Sequence, residues 1–279
     1  MTTEHKLEPA VSTEYMFEWH PCAQLFKLHS DRTQYTVIVL NQPIDKAYRN
    51  TALTLWKNGF YHIAADGGAN SVYEFASETE NHQLTSDIKI IVGDLDSIRP
   101  NVRAHFQNQT QCPETKIIHD DSVDSTDFGK AVSVARETPD LQNKDIVVFG
   151  GLGGRVDQAL SILHQLHLFQ SDPQYREGRM YLYSGEGLTF LLKAGVHKIH
   201  VREPGMPDRF AKWVGILPVG EASVISTKGL EWDVTQWPTS FGGQVSTSNH
   251  VLPDTQVVEI KTTKDVIFTI AVKELSDKS

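Results

Sequence analysis

Five aspartates mark where this chain could do chemistry. Asp66 ends an apolar run, Tyr61–Ala65; Asp94 and Asp96 follow a second, Ile88–Val92; Asp124 and Asp127 open a segment of helical period. In an open parallel sheet the carboxyl ends of the strands border the ligand crevice, so carboxylates placed just after successive strands converge there although they are far apart in sequence. Asp94 and Asp96, two apart in an extended segment, are expected on the same side. Two carboxylates about 4 Å apart repel by about 1 kcal/mol in water and by about 4 kcal/mol at an effective dielectric of 20, so such a cluster calls for a cation. Hard oxygen ligands indicate magnesium, bridging protein to phosphate. Each aspartate alone has a plainer role: Asp66 precedes Gly67-Gly68 as in an Asx-turn, and Asp124 with Asp127 fits an N-cap and N3 pair. Five at consecutive strand ends make a metal site the expectation. Asp120 and Asp121 read as solvated loop charges.

A second feature is Gly150-Gly151-Leu152-Gly153-Gly154-Arg155-Val156-Asp157-Gln158, between the apolar run Asp145–Phe149 and a helix ending near Gln170. A strand, glycine turn and helix N-terminus supply unpaired N–H donors to an anion, and Arg155 adds a guanidinium fork. The spacing is neither a dinucleotide fingerprint nor a P-loop. A tight turn with close helix packing, and an exposed Arg155–Asp157 pair, are the alternatives. Asp127 and Lys130, three apart on a shared helix face, place an ammonium beside the carboxylate, for a phosphate or for a plain surface ion pair. Further on, Trp232 stands between Glu231 and Asp233 near a turn, where an indole suits a flat cationic ligand; packing in a sheet is its plainer use.

Elements must hold these residues in place. From Tyr35 to Ser184, strand-sized runs (Tyr35–Leu40, Tyr61–Ala65, Ile88–Val92, Lys116–Ile118, Asp145–Phe149, Met180–Tyr183) alternate with helical segments, which argues for a mostly parallel sheet flanked by helices. After Leu192 helical periodicity disappears, and short strands separated by turn residues predict an all-β sandwich. The expected organisation is an N-terminal extension over 1–31, loosely held, an α/β domain over 32–192 and a β domain over 193–279.

Composition narrows the function. With 39% hydrophobic and 22% charged residues the chain is globular, and a net charge of −9 gives no grip on a phosphate backbone, so nucleic acid is excluded as a partner. Two cysteines, Cys22 and Cys112, supply neither a disulfide framework nor a zinc site and fit a reducing, cytoplasmic setting. No apolar run approaches the roughly 20 residues that span a bilayer.

Six segments, in order, resemble the eukaryotic thiamine pyrophosphokinase family: Ala65–Asn70, Gly93–Ile98, Asp124–Lys130, Gly150–Gln158, Thr227–Trp232 and Ser246–Asn249. The resemblance implies an α/β ATP-binding domain, a C-terminal β-sandwich, and a homodimer whose active sites use both subunits. It implies transfer of the β,γ-diphosphate of ATP to thiamine, giving AMP and thiamine diphosphate, with Mg²⁺ required. By the same resemblance Asp66, Asp94, Asp96 and Asp127 hold the metal, and Asp94, Asp96 and Asp127 are the catalytic candidates. Asp66, Gly67, Gly68, Asn70, Ser97, Lys130, Gly151, Gly154, Arg155, Asp157 and Gln158 are the candidates for ATP and phosphate, and Trp232, Ser248 and Asn249 for thiamine. The N-terminal extension and the segment Glu203–Lys212 are longer than the family pattern. The rival readings are a metal-dependent phosphohydrolase acting on a nucleotide or small phosphate ester, and a non-catalytic binding protein.

Overall fold

The computed structural model describes residues 15–27, 35–108 and 110–275; residues 1–14 and 28–31 of the expected N-terminal extension lie outside the described residues. The chain runs through β1 (Met16–Trp19), α1 (Pro21–Phe26), β2 (Tyr35–Val39), a 3₁₀ turn, α2 (Arg49–Asn58), β3 (Tyr61–Ala65), α3 (Gly68–Glu78), α4 (Gln83–Asp87), β4 (Ile88–Gly93), α5 (Pro100–Gln107) and β5 (Lys116–His119). It continues with α6 (Asp127–Glu137), β6 (Asp145–Phe149), α7 (Val156–Phe169) and β7 (Met180–Tyr183). Strands alone follow: β8 (Gly187–Leu192), β9 (Gly195–His200), β10 (Phe210–Leu217), β11 (Ser223–Lys228), β12 (Trp237–Thr239), β13 (Ser246–His250), β14 (Val257–Thr262) and β15 (Val266–Val272).

β2 reads Tyr-Thr-Val-Ile-Val and is buried at every position, as a central strand covered on both faces must be. Alternate side chains serve opposite cores. Val37 and Val39 pack with Leu55, Trp56, Val72 and Phe75 of α2 and α3, whereas Ile38 and Leu40 pack with Phe128, Val132 and Leu166 of α6 and α7. Strands β2 to β7 pair in parallel. The α/β half thus has the expected architecture.

The ten-stranded sheet has the order β13-β10-β15-β8-β7-β6-β2-β3-β4-β5 and does not end at residue 192. β8 pairs antiparallel with β7 on one side and β15 on the other, so four C-terminal strands extend the parallel sheet. A five-stranded sheet, β1-β9-β14-β11-β12, packs over that extension, and Phe190, Ile199, Ile216, Ile225, Ile260 and Phe268 belong to the same core cluster as Val37 and Trp56.

Residues 15–27 correct one expectation. They are not loosely held: β1 pairs in parallel with β9, and Trp19, Leu25 and Phe26 are fully buried. The apolar positions Phe17, Trp19, Leu25 and Phe26 give this stretch enough surface to bury to hold it against the sandwich.

Candidate functional site

The strand order turns between β2 and β6: the chain leaves β2 toward β3, β4 and β5, then returns to pair β6 on its other side. A crevice is expected at the carboxyl ends of those strands. There a cleft of about 640 Å³ opens, with Gln42 after β2, Asp66 after β3, Asp94 after β4, Asp127 and Lys130 on α6, and Gly151, Arg155 and Gln158 beside β6 and α7 along its walls.

Three carboxylates meet in it. One oxygen each of Asp66, Asp94 and Asp127 lies within 4.8 Å of the others. Asp66 is 3% exposed, and its Oδ1 has no hydrogen-bond partner. Burial, and then the neighbouring charges of Asp127 and Asp94, push its carboxyl above the usual carboxylate range. Its φ of +42° is a left-handed conformation that aspartate tolerates better than most residues. Gly93 makes the approach possible, because a Cβ there would stand 2.6 Å from Asp66 Cβ and 2.9 Å from Asp127 Oδ1.

Two expectations about the aspartates change. Asp94 and Asp96 do not share a side, because Leu95 between them is left-handed at φ +64° rather than extended. Asp96 is exposed, accepts from Ser97 Oγ at 2.8 Å, and is outside the three-carboxylate group. The helix cap falls to Thr126, whose hydroxyl accepts from Gly129 N–H at 3.1 Å, so Asp127 is the first helical residue and Asp124 is an exposed loop residue. Relieved of capping, the Asp127 carboxylate faces the cleft.

Lys130 is buried on the wall, its ammonium donating to the Asp120 carbonyl at 2.7 Å and to Asp127 Oδ1 at 3.4 Å. Asp120 is therefore more than a solvated loop charge: its main chain anchors the lysine. Arg155 makes a two-pronged contact with Asp157, at 3.1 and 2.6 Å, and both side chains are exposed. Asn70 ties α3 to the loop after β4, donating to the Ser97 carbonyl at 2.8 Å and accepting from Arg99 N–H at 3.1 Å. Gly68 sets α3 against the sheet, since a Cβ would stand 2.0 Å from the Val39 carbonyl oxygen, and a Cβ on Gly67 would strike Asn41.

Gln42 was not legible as a site residue. Its Oε1 accepts from Gly151 N–H at 2.9 Å and its Nε2 donates to the Gly153 carbonyl at 2.5 Å, fixing the glycine turn from across the crevice. The available signal was its place just after the central strand.

The β region carries a second, smaller cleft of about 160 Å³, lined by Thr227, Trp232, Val234, Trp237, Ser246 and Asn249 among others. Asp233 is consumed by the turn, accepting from Thr227 Oγ1 at 2.9 Å, Gly229 N–H at 2.9 Å and Leu230 N–H at 3.2 Å. Asn249 is buried and engages the Trp232 main chain, while Ser248, at φ +57°, is exposed and not among the lining residues. Every residue lining this cleft follows residue 226, and every residue lining the acidic cleft precedes residue 163.

Comparison with known proteins gives consistent matches. The family profile described as thiamin pyrophosphokinase, catalytic domain, matches residues 52–176, and that described as thiamin pyrophosphokinase, vitamin B1 binding domain, matches residues 196–267. Thiamine pyrophosphokinase 3 of Oryza sativa subsp. japonica is 34% identical, over 87% of this chain and 88% of that protein. Thiamine pyrophosphokinase of Saccharomyces cerevisiae is 28% identical, over 85% of each. The crystal structure of yeast thiamin pyrophosphokinase superposes with a TM-score of 0.78 at 24% identity, covering 100% of this chain and 99% of that one, which establishes the fold.

Proposed function

The chain belongs to the thiamine pyrophosphokinase family, and from that membership we propose how its two clefts divide the reaction. The activity is transfer of the terminal diphosphate of ATP to the hydroxyl of thiamine, giving thiamine diphosphate and AMP. The observation that carries the assignment of residues is the meeting of Asp66, Asp94 and Asp127 beside a glycine turn at the sheet's switch point.

The trio fits Mg²⁺: its donors are all carboxylate oxygens, and one is buried without a hydrogen-bond partner. Bound there, Mg²⁺ neutralises charge on the triphosphate. Asp96, at the rim, is assigned as an accessory carboxylate. Lys130 has three N–H donors, of which two are directed at Asp120 and Asp127, leaving one for phosphate. The Gly151 N–H is held by Gln42, so the main-chain N–H groups of Leu152 to Gly154 and of the start of α7 would serve the anion, and Arg155 can exchange its exposed partner Asp157 for phosphate, because an exposed pair contributes about 0–1 kcal/mol. Catalysis rests on positioning and charge; Asp127 accepts the hydroxyl proton late in the step.

Trp232, with Asn249 behind it and Ser248 at the rim, takes thiamine. The two clefts belong to different ends of one chain: β13 and β3 are seven strand-to-strand steps apart, about 34 Å along the sheet at a spacing of about 4.8 Å. Reacting atoms must approach to about 3–3.5 Å. A homodimer that sets the acidic cleft of one protomer against the Trp232 cleft of its partner meets this requirement. The matched profiles lie on either side of residue 192, which supports a functional division near there although the sheet is continuous. No helix among the described residues is long and apolar enough to cross a membrane, and two buried, unpaired cysteines suit a reducing cytoplasm.

Incubation with ATP, Mg²⁺ and thiamine, followed by chromatography, tests the reading: AMP and thiamine diphosphate should form in equal amounts. ADP in their place would mean transfer of a single phosphoryl group. Phosphate release without thiamine would mean a hydrolase, which the family match does not favour.

A further inference from the structure

Glu18, His20 and His200 lie outside both clefts, where β1 runs alongside β9. The parallel register sets Glu18 against Lys198 and Trp19 against Ile199, so His20, the next residue, comes beside His200. Their rings stack with centroids 4.1 Å apart and planes at 21°. One donor atom from each of Glu18, His20 and His200 lies within 4.8 Å of the others. Glu18 Oε2 is 2.6 Å from His200 Nε2 and 3.8 Å from His20 Nε2. Ligands of a tetrahedral zinc ion at about 2.0–2.2 Å stand about 3.3 Å from one another, so these two spacings differ from a ligand set by less than an ångström.

The remaining nitrogen of His20 supplies the second observation. Its Nδ1 is 2.6 Å from Glu203 Oε1, and the other oxygen of that carboxylate accepts from Ala23 N–H at 2.8 Å. Glu203 is only 11% exposed. A fixed carboxylate on Nδ1 holds the proton there and turns the Nε2 lone pair toward Glu18, the arrangement that orients ligating histidines in metal proteins.

We propose that Glu18, His20 and His200 bind a zinc-class dication, with Glu203 as a positioning residue and water completing the coordination. Imidazole nitrogens select such ions over Mg²⁺ and Ca²⁺. Binding breaks the hydrogen bond between His200 Nε2 and Glu18 Oε2, moves the imidazole proton to His200 Nδ1, and requires the His200 ring to rotate out of the stack while Glu203 holds His20. Lys198, opposite Glu18, opposes the added charge, so the site is weaker than a closed four-ligand one. The ion would join the N-terminal strand to the sandwich and stabilise the folded chain by linkage.

The test is calorimetric titration of the full chain, stripped with chelator, using ZnCl₂ in excess Mg²⁺ so that the acidic cleft is occupied. One zinc should bind per chain and raise the melting temperature. Glu18→Gln and His200→Ala should each weaken zinc by about tenfold or more, and Glu203→Gln by about ten- to a hundredfold, while Asp94→Asn leaves it unchanged. Co²⁺ should give visible absorption bands that His200→Ala abolishes. Unaltered zinc affinity in a folded His200→Ala, or loss of binding with Asp94→Asn instead, would overturn the site; should His200→Ala not fold by circular dichroism, Glu18→Gln, with an exposed side chain, decides on the same criterion.

Discussion

Asn249 grips Trp232 by its main chain from both directions: Nδ2 donates to the Trp232 carbonyl at 2.9 Å, and Oδ1 accepts from the Trp232 N–H at 3.2 Å. The amide is buried and the indole is 55% exposed, so placing the ring and presenting it fall to different residues. Trp232→Ala should raise the thiamine KM about five- to thirtyfold, the worth of roughly 1–2 kcal/mol, and leave the ATP KM and melting temperature unchanged. Asn249→Ala should raise the thiamine KM and also cost about 1–3 kcal/mol of stability, because partly buried main-chain groups lose their partner. Denaturation curves beside steady-state kinetics separate the two, and a large stability loss in Trp232→Ala would make the indole a packing residue.

Asp66→Asn keeps a residue type that accepts φ +42° and removes one of three converging charges. Without Mg²⁺ the variant should melt no lower than the wild type, since repulsion is relieved. Mg²⁺ should no longer raise its melting temperature, and turnover should fall about a hundredfold or more. A wild-type response to Mg²⁺ would remove Asp66 from the ion.

Gly93→Ala places a methyl 2.6 Å from Asp66 Cβ and 2.9 Å from Asp127 Oδ1, inside any tolerable contact. We expect a loss of about 1–3 kcal/mol in stability together with loss of the Mg²⁺-induced thermal shift, because the two carboxylates are driven apart. Retained turnover near the wild-type rate would show that their spacing is not critical.

Shared sites make a sharper forecast. In the proposed dimer Asp94→Asn and Trp232→Ala damage opposite walls of a composite site, so a mixed dimer should hold one site with both defects and one with neither. Co-refolding equal amounts and assaying at low thiamine should recover about a quarter of wild-type activity, half the dimers being mixed with one sound site each. Recovery no greater than the sum of the parents would place both clefts in one protomer's reaction.

His197 is buried between Trp19 and the Lys193 carbonyl, accepting from the indole N–H at Nδ1, 3.0 Å away, and contacting the carbonyl at 2.7 Å through Nε2. Burial, reinforced by Arg179, pushes it down to about 4, against the influence of the Lys193 carbonyl and Asp265. A depressed histidine stays neutral in the fold while the unfolded chain takes up a proton below pH about 6.5. Its contribution is therefore complete above that pH and drains away between about 6.5 and 4, by up to about 3 kcal/mol. His197→Gln should flatten the fall in melting temperature across that window; an unchanged slope would assign the acid lability elsewhere.

Much of this was readable in advance because it depends on period and punctuation. Tyr61–Ala65, Asp145–Phe149, Met180–Tyr183 and Val266–Val272 begin and end where their apolar runs do. What escaped depends on partners. Gly187–Leu192 is a mostly apolar run, interrupted by Thr189, whose role, joining parallel to antiparallel strands, is a matter of pairing. Met16–Trp19 alternates over only four residues, too few to distinguish from chance, and is a strand because β9 receives it. Asp96 was misplaced by one dihedral, the left-handed Leu95, since a non-glycine residue gives little notice of positive φ. Gln42 belongs to no motif and acquires its role only when the glycine turn arrives from 109 residues away.

The unbroken hydrogen-bond ladder from β5 to β13 bears on how such a chain can be rearranged in evolution. Separable modules meet at side-chain interfaces, and either can be excised with its main chain satisfied. Here a cut at residue 192 would strip β8 of its β15 partner and leave a long apolar edge on each fragment, an invitation to aggregate. The vitamin-recognising half cannot be shuffled onto another enzyme as a cassette, nor rock against the nucleotide half on a hinge. Variation and motion fall instead to the loops above the strand ends.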